Sequence, residues 1–212
     1  MSTMPAARGE RLLLHDVPWT RYERLLRALD DRHLRLTYDR GTLEIMTLSH
    51  EHEGTSYLLG RFVDVLTEEA NLPVKAGRST TFRRRKKEKG LEPDNCYWIT
   101  NEKKVRGKKK INLKIDPPPD LALETDITHS SLDRLGIYAA LRVPEVWKFD
   151  GKRMMFLILG RQGEYGEASA SAIFPFLQPQ HLLRFLGMAA HQDENAVVKS
   201  FRGWVRKQIG DQ

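Results

Sequence analysis

Four acidic residues, Glu44, Asp94, Glu124 and Asp126, stand inside or at the mouths of segments that read as apolar strands. An ionised carboxylate in such a setting is costly unless a cation or a hydrogen-bonding partner compensates it. In Leu121-Ala122-Leu123-Glu124-Thr125-Asp126 the alternation turns Leu121 and Leu123 to one face and Ala122, Glu124 and Asp126 to the other. Ala122 is small and leaves room beside Glu124. Carboxylate oxygens grouped this way suit a hard divalent cation, Mg²⁺ by preference or Mn²⁺. Such an ion polarises a phosphodiester and generates hydroxide near neutral pH. The blander account is that each acid merely ends a strand or pairs with an arginine or lysine.

Two Pro-Asp dipeptides, Pro93-Asp94 and Pro119-Asp120, compete to supply the partner of Glu124. Asp120 and Glu124 lie on one extended segment, which separates them by roughly 13 Å and forbids a shared ion. Asp94 comes from a different strand, so tertiary contact can bring it to Glu124. Asp94 is therefore the expected partner, and Asp120 reads as a turn residue leading into its strand. Other candidates are weaker. In His50-Glu51-His52-Glu53 the two histidines are two residues apart and do not share a helical face. The zinc-protease pattern His-Glu-x-x-His is missing. His129 and Ser130 read as helix-capping residues, and Gly90 and Gly107 sit among lysines without a phosphate-loop pattern.

The elements that must position these residues follow from periodicity. A helix capped by Asp16 is expected to run to about residue 29, with Trp19, Tyr22, Leu25, Leu26 and Leu29 on one face. Leu34, Leu36 and Tyr38 alternate, Asp39-Arg40-Gly41 turns, and Leu43 and Ile45 alternate again, which predicts a hairpin with Glu44 on the face opposite Leu43 and Ile45. A longer helix is expected over 51–70, ended by Asn71-Leu72-Pro73. Strands are expected through Val74, around 80–82, over 96–99 and over 121–127. Ser130 begins a helix to about 141, with Asp133 placed to complete a capping box. A hairpin over 145–149 and 155–159, a strand over 165–172, and helices over 179–189 and 193–209 complete the chain. Tyr97, Trp98 and Trp147 read as core aromatics, and Trp204 as an anchor of the last helix. Strand–helix–strand around 130–141 favours a right-handed crossover. The expected fold class is α/β or α+β, with a mixed central sheet flanked by helices and hairpins at its edges, in one domain over 1–212.

Composition sets the outer bounds. The 212 residues are 40% apolar, enough for a substantial core. A single cysteine, Cys96, permits no internal disulfide, and the longest apolar run, 154–159, is too short to cross a bilayer. A soluble cytoplasmic protein is expected, with no membrane partner. Lysine and arginine exceed aspartate and glutamate by 7, and the excess is clustered. Six basic residues fall within 83–89, including Arg83, Arg84, Arg85 and Lys86, and six more within 103–110, including Lys108, Lys109 and Lys110. Such blocks hold nucleic-acid phosphates by counterion release or serve only as solvated loops, and charge leaves both open.

On these residues the chain resembles the Uma-type restriction endonuclease family of the PD-(D/E)XK nuclease superfamily. The matching pieces are Tyr38-Asp39-x-Gly41-x-Leu43-Glu44-Ile45-Met46, His52-Glu53, Leu91-Glu92-Pro93-Asp94, Pro118-Pro119-Asp120-Leu121-x-x-Glu124-x-Asp126-Ile127-Thr128, Ile137-Tyr138-Ala139 and Val143-Pro144-Glu145-Val146-Trp147. They span about 38–176, with helical extensions at both ends. The resemblance implies a restriction-endonuclease-like sheet and a divalent-metal site at Asp94 and Glu124, with Glu44 nearby and His52 in support. It also implies a homodimer in many members. The superfamily places a lysine two residues after the glutamate; Asp126 stands there instead. The basic residue matching the family's substitute is Arg134, which clamps phosphate but stays protonated and cannot act as a base. The leading expectation is a Mg²⁺-dependent endonuclease acting on nucleic acid, DNA in the first instance, with Glu44, Asp94, Glu124, Arg134 and His52 at its site. A nucleic-acid-binding protein without catalysis, and a structural protein whose acids form internal ion pairs, stand as alternatives.

Overall fold

The computed structural model describes residues 10–29, 34–47, 50–77, 80–125 and 131–210, with 50–52 described by backbone alone. In chain order the elements are β1 (Arg11–Leu14), α1 (Trp19–Ala28), β2 (Leu34–Asp39), β3 (Thr42–Thr47), α2 (His50–Glu69), β4 (Lys75–Ala76), β5 (Phe82–Arg84), β6 (Lys89–Leu91), β7 (Asn95–Trp98), α3 (Glu102–Val105), β8 (Leu121–Thr125), α4 (Arg134–Leu141), β9 (Glu145–Phe149), β10 (Met154–Leu159), β11 (Tyr165–Ala168), α5 (Pro179–Met188) and α6 (Glu194–Gly210).

The strands form two sheets. The mixed sheet has the order β11-β10-β9-β8-β7-β4 and is antiparallel except where β8 and β9 run parallel, joined through α4. A second sheet, β1-β3-β2-β6-β5, is antiparallel throughout. It grows from the β2–β3 hairpin, whose turn puts Arg40 at φ 44° and Gly41 at φ 92°. Positive φ at both central positions is the two-residue geometry whose twist matches that of paired strands.

Period-2 alternation sorts the side chains of the mixed sheet into two cores. Tyr97, Leu121, Leu123, Trp147 and Phe156 face α2, α5 and α6, where Phe62, Phe185 and Phe201 pack against them. Cys96, Trp98, Ala122, Val146 and Leu157 face the other way, onto Ile137, Tyr138 and Leu141 of α4. Trp204 lies against Phe201, Phe185, Phe176 and His181 and so ties α6 to α5. In the second sheet Leu36, Tyr38 and Leu43 are covered by Trp19 and Tyr22 of α1. Tyr22 stacks on Tyr38 with ring centroids 4.6 Å apart.

The elements depart from expectation in two places, and the two basic blocks take definite forms. Asp16 is not the cap of α1: it takes a positive φ of 53°, and Pro18 holds the N-cap position. Arg11–Leu14 forms an edge strand that periodicity did not mark. The first basic block is a short hairpin, β5 and β6 joined by a 3₁₀ turn over Arg85–Lys87. The second opens with the one-turn α3 and continues through turns to 116. Ile127 and Ser130, expected in β8 and at the start of α4, lie outside the described residues; Asp133 is the N-cap of α4, its carboxylate accepting the Gly136 N–H at 2.9 Å.

Candidate functional site

The chain crosses from one sheet to the other at Glu92-Pro93-Asp94, between β6 and β7. Pro93 has no N–H to donate, so neither ladder continues through this point. Across β7 and β8, Asn95 is paired with Leu123 and Cys96 with Ala122. One step further along that register sets Asp94 opposite Glu124, and opposed residues of an antiparallel pair project to the same face. Here that face is the one under α4, since Cys96 and Ala122 pack there. Asp94 is 6% exposed and Glu124 7%, so both carboxylates are buried.

Each buried acid has specific partners. Asp94 Oδ2 accepts the Thr125 N–H at 2.6 Å and the Thr125 hydroxyl. Its Oδ1 accepts from Arg35 of β2. Glu124 Oε1 accepts from Arg134 Nη2 at 2.6 Å and from the Tyr138 hydroxyl. Arg134 and Tyr138 are four apart on α4, so they share a helical face and converge on one oxygen. Arg134 also donates to Thr37 Oγ1 at 2.6 Å and to the Glu92 carbonyl at 2.9 Å.

The second sheet supplies the opposite wall. With Leu36, Tyr38 and Leu43 turned toward α1, the alternating residues Arg35, Thr37 and Glu44 are turned the other way. Thr37 and Glu44 are directly paired across β2 and β3. Glu44 is 3% exposed; it accepts the Ser131 N–H at 2.9 Å, just ahead of α4, and Arg11 stands 4.0 Å away. The face predicted to carry Glu44 away from Leu43 is thus closed over by α4 rather than open to solvent. Two sheets and one helix thereby bring Arg35, Thr37, Glu44, Asp94, Glu124, Arg134 and Tyr138 to one locus.

A family model described as "Uma2: Putative restriction endonuclease" matches residues 19–190, which include all seven of these positions. The chain belongs to that family. No curated protein matches it. As a Uma2 protein it belongs with nucleases, whose substrates are nucleic acids. The described residues contain no helix long and apolar enough to cross a membrane.

The electrostatics follow from burial. Burial pushes the Glu124 carboxyl above the usual range; the charge of Arg134 pulls it back, and that of Asp94 pushes it up again. Burial alone would lower Arg134, yet the adjacent Glu124 holds it above its ordinary value, so it stays charged. Burial, and then Glu124, raise the Tyr138 hydroxyl well above the phenol range, which keeps it a donor. Burial also raises Glu92, whose carboxylate accepts from the Thr81 hydroxyl at 2.5 Å.

The donor set fits a divalent cation. Glu124 Oε2 accepts no hydrogen bond from a described residue, although the carboxylate is buried and raised by its neighbour Asp94. Two carboxylates, with water and substrate oxygens completing the shell, is the ordinary way in which Mg²⁺ is held. Among the described residues no three acidic, histidine or cysteine side chains gather closely enough to hold an ion by themselves. Asp126 and the side chain of His52 lie outside the described residues.

Asp120 has a different task. Its carboxylate accepts the Ile99 N–H at 2.7 Å, the Asn101 N–H at 2.9 Å and the Asn101 amide at 2.6 Å, fixing the turn after β7. Among the basic positions, Arg83, Arg85, Lys86, Lys108, Lys109 and Lys110 are exposed. Arg83 stands 3.8 Å from Glu23, Lys108 is paired with Asp116, and half-buried Arg84 reaches the Ala140 carbonyl at 3.5 Å. Arg85, Lys86, Lys109 and Lys110 have no ion-pair partner among the described residues and remain the freest phosphate contacts.

Four site residues escaped the sequence reading: Arg35, Thr37, Thr125 and the Tyr138 hydroxyl. Tyr138 was visible as the residue four after Arg134. Arg35 carried one signal, a charged residue between Leu34 and Leu36 in a strand otherwise packed against α1.

Proposed function

We propose that this chain is a metal-dependent endonuclease that hydrolyses nucleic-acid phosphodiester bonds, with DNA as its substrate. What supports the reading is the β7–β8 register, which continued by one step sets Asp94 opposite Glu124, with Arg134 on Glu124, in a family of restriction-endonuclease type. Asp94 and Glu124 would hold Mg²⁺ or Mn²⁺. The ion supplies Lewis-acid polarisation of the phosphodiester and acidifies a bound water.

The remaining work falls to the chain's own groups. Thr125 and Tyr138 fix the two carboxylates, so their orientation is set before substrate arrives. Arg134 orients Glu124 through Nη2, while its buried Nε has no hydrogen-bond partner among the described residues. An unpartnered, permanently charged donor at this point suits an oxygen of the scissile phosphate as negative charge develops there. Arg134 thus takes over the charge-stabilising part of the lysine's task. Proton removal would fall to Glu44, which would also order the attacking water, or to solvent. The loops bearing Arg85, Lys86, Lys109 and Lys110 hold flanking phosphates without reading sequence.

Incubating the purified chain with supercoiled plasmid and Mg²⁺ or Mn²⁺ tests the proposal. Wild type is expected to nick or linearise the DNA, and Asp94→Ala and Glu124→Ala to lose at least about 100-fold of that rate. Failure to cut DNA or RNA with either ion, together with metal binding unchanged in both variants, overturns it. The two buried arginine–carboxylate pairs favour a second reading, in which the acids are internally neutralised and the chain binds nucleic acid without cutting it. That reading predicts salt-sensitive DNA binding that survives loss of both carboxylates.

A further inference from the structure

We propose that Arg35 is the resident counter-ion of Asp94, the group that a divalent cation displaces on entering the site. The inference rests on the reading that Asp94 and Glu124 hold that cation. The Arg35 side chain is 8% exposed and that of Asp94 2%. A guanidinium on a strand gains nothing from such burial unless it meets a compensating charge, and Asp94, 59 residues away, is that charge.

The two arginines of the site are held very differently. Arg134 donates to three acceptors, the Thr37 hydroxyl, the Glu92 carbonyl and Glu124, so losing any one contact leaves it in place. Among the described residues the Arg35 side chain donates to Asp94 alone, and its buried Nε meets no hydrogen-bond partner. On Asp94 itself, Oδ2 already receives both the N–H and the hydroxyl of Thr125. The oxygen that a cation beside Glu124 must recruit is therefore Oδ1, which Arg35 holds. Entry of the cation exchanges one positive group on Oδ1 for another. The released guanidinium, tethered to β2, is left in the site with all its donors available for a phosphate oxygen. Arg35 is thus a positioning residue in the absence of metal and a competitor for the metal's place.

The test compares Mn²⁺ binding by calorimetry and thermal midpoints, in chelator and in saturating Mn²⁺, for the full-length wild type, Arg35→Met and Arg35→Lys. Removing a cation that competes at close range should tighten Mn²⁺ binding about tenfold or more in Arg35→Met. Its thermal midpoint should fall in chelator, where Asp94 loses the Arg35 charge, and approach wild type in Mn²⁺. Arg35→Lys keeps the charge and should bind Mn²⁺ within about threefold of wild type. Equal or weaker Mn²⁺ binding by Arg35→Met, or a stability deficit of the same size with and without Mn²⁺, overturns the inference. If Arg35→Met does not fold in chelator, refolding in Mn²⁺ supports the exchange and failure to refold contradicts it. If wild type binds no Mn²⁺, the metal site itself is refuted, and this inference with it.

Discussion

Arg134→Met removes the guanidinium from beneath α4 while keeping most of its apolar stem. Three hydrogen bonds go with it, at 2.6, 2.6 and 2.9 Å. The Glu124 and Arg134 side chains are 9% and 13% exposed, so solvent screens the pair little. Breaking a buried ion pair costs about 3–5 kcal/mol, because the surviving charge is left uncompensated. For a chain of 212 residues, about 2 °C of midpoint accompanies each kcal/mol, so the expected fall is roughly 6–10 °C at neutral pH. The sign of the pH dependence follows from Glu124. Its carboxyl is already raised above the usual glutamate range by burial, despite Arg134. A carboxyl raised on folding binds more protons in the folded state, so its contribution to stability is lost as pH rises through that raised value. Without Arg134 the rise is larger, and the deficit of the variant should be smallest at acid pH, where the carboxyl is protonated with or without Arg134, and widen as pH rises through the raised value. Differential scanning calorimetry across that range measures it. A midpoint difference independent of pH, or a fall below about 2 °C, would refute the view that Arg134 neutralises Glu124.

Further outcomes are expected. Tyr138→Phe deletes one hydroxyl donor to a buried carboxylate and should cost about 1.5–3 kcal/mol, read as a lower urea midpoint; an unchanged midpoint contradicts the Tyr138–Glu124 contact. Asp120→Ala strands the Ile99 and Asn101 backbone N–H groups and should cost about 2–4 kcal/mol while leaving Mn²⁺ affinity unchanged. Abolished Mn²⁺ binding in a folded Asp120→Ala protein would show that the wrong Pro-Asp was chosen. Replacing Arg85, Lys86, Lys109 and Lys110 by glutamine should weaken DNA binding and reduce the salt-dependence slope by about 3–4, close to 0.9 per lost phosphate contact. A slope that does not move removes these residues from the nucleic-acid surface.

What could be read from sequence were the features written in short range. Alternation located β8 and turned Glu124 away from Leu121 and Leu123, and Asp39-Arg40-Gly41 marked its hairpin because a tight turn demands positive φ. That Asp120 serves the turn after β7 was legible from its place at the entry to β8. Sheet membership was not legible, because pairing is set between segments far apart: β1 is four residues long and becomes a strand by lying against β3. The same reason hid Arg35, whose meaning lies in a partner 59 residues along the chain. Burial of Glu44 was also invisible, since the lid over it comes from Ser131 at the start of α4, 87 residues later. Asp16 misled because aspartate caps helices and also tolerates left-handed turns, and here the turn won.

The central claim is that Asp94 and Glu124 share a divalent cation. An anomalous difference map from crystals grown in Mn²⁺ tests it most directly. The account predicts a Mn²⁺ peak between Asp94 Oδ1 and Glu124, at about 2.0–2.6 Å from the carboxylate oxygens, with Arg35 drawn off Asp94. A map with no peak there, and Arg35 still on Asp94 at saturating Mn²⁺, would contradict it.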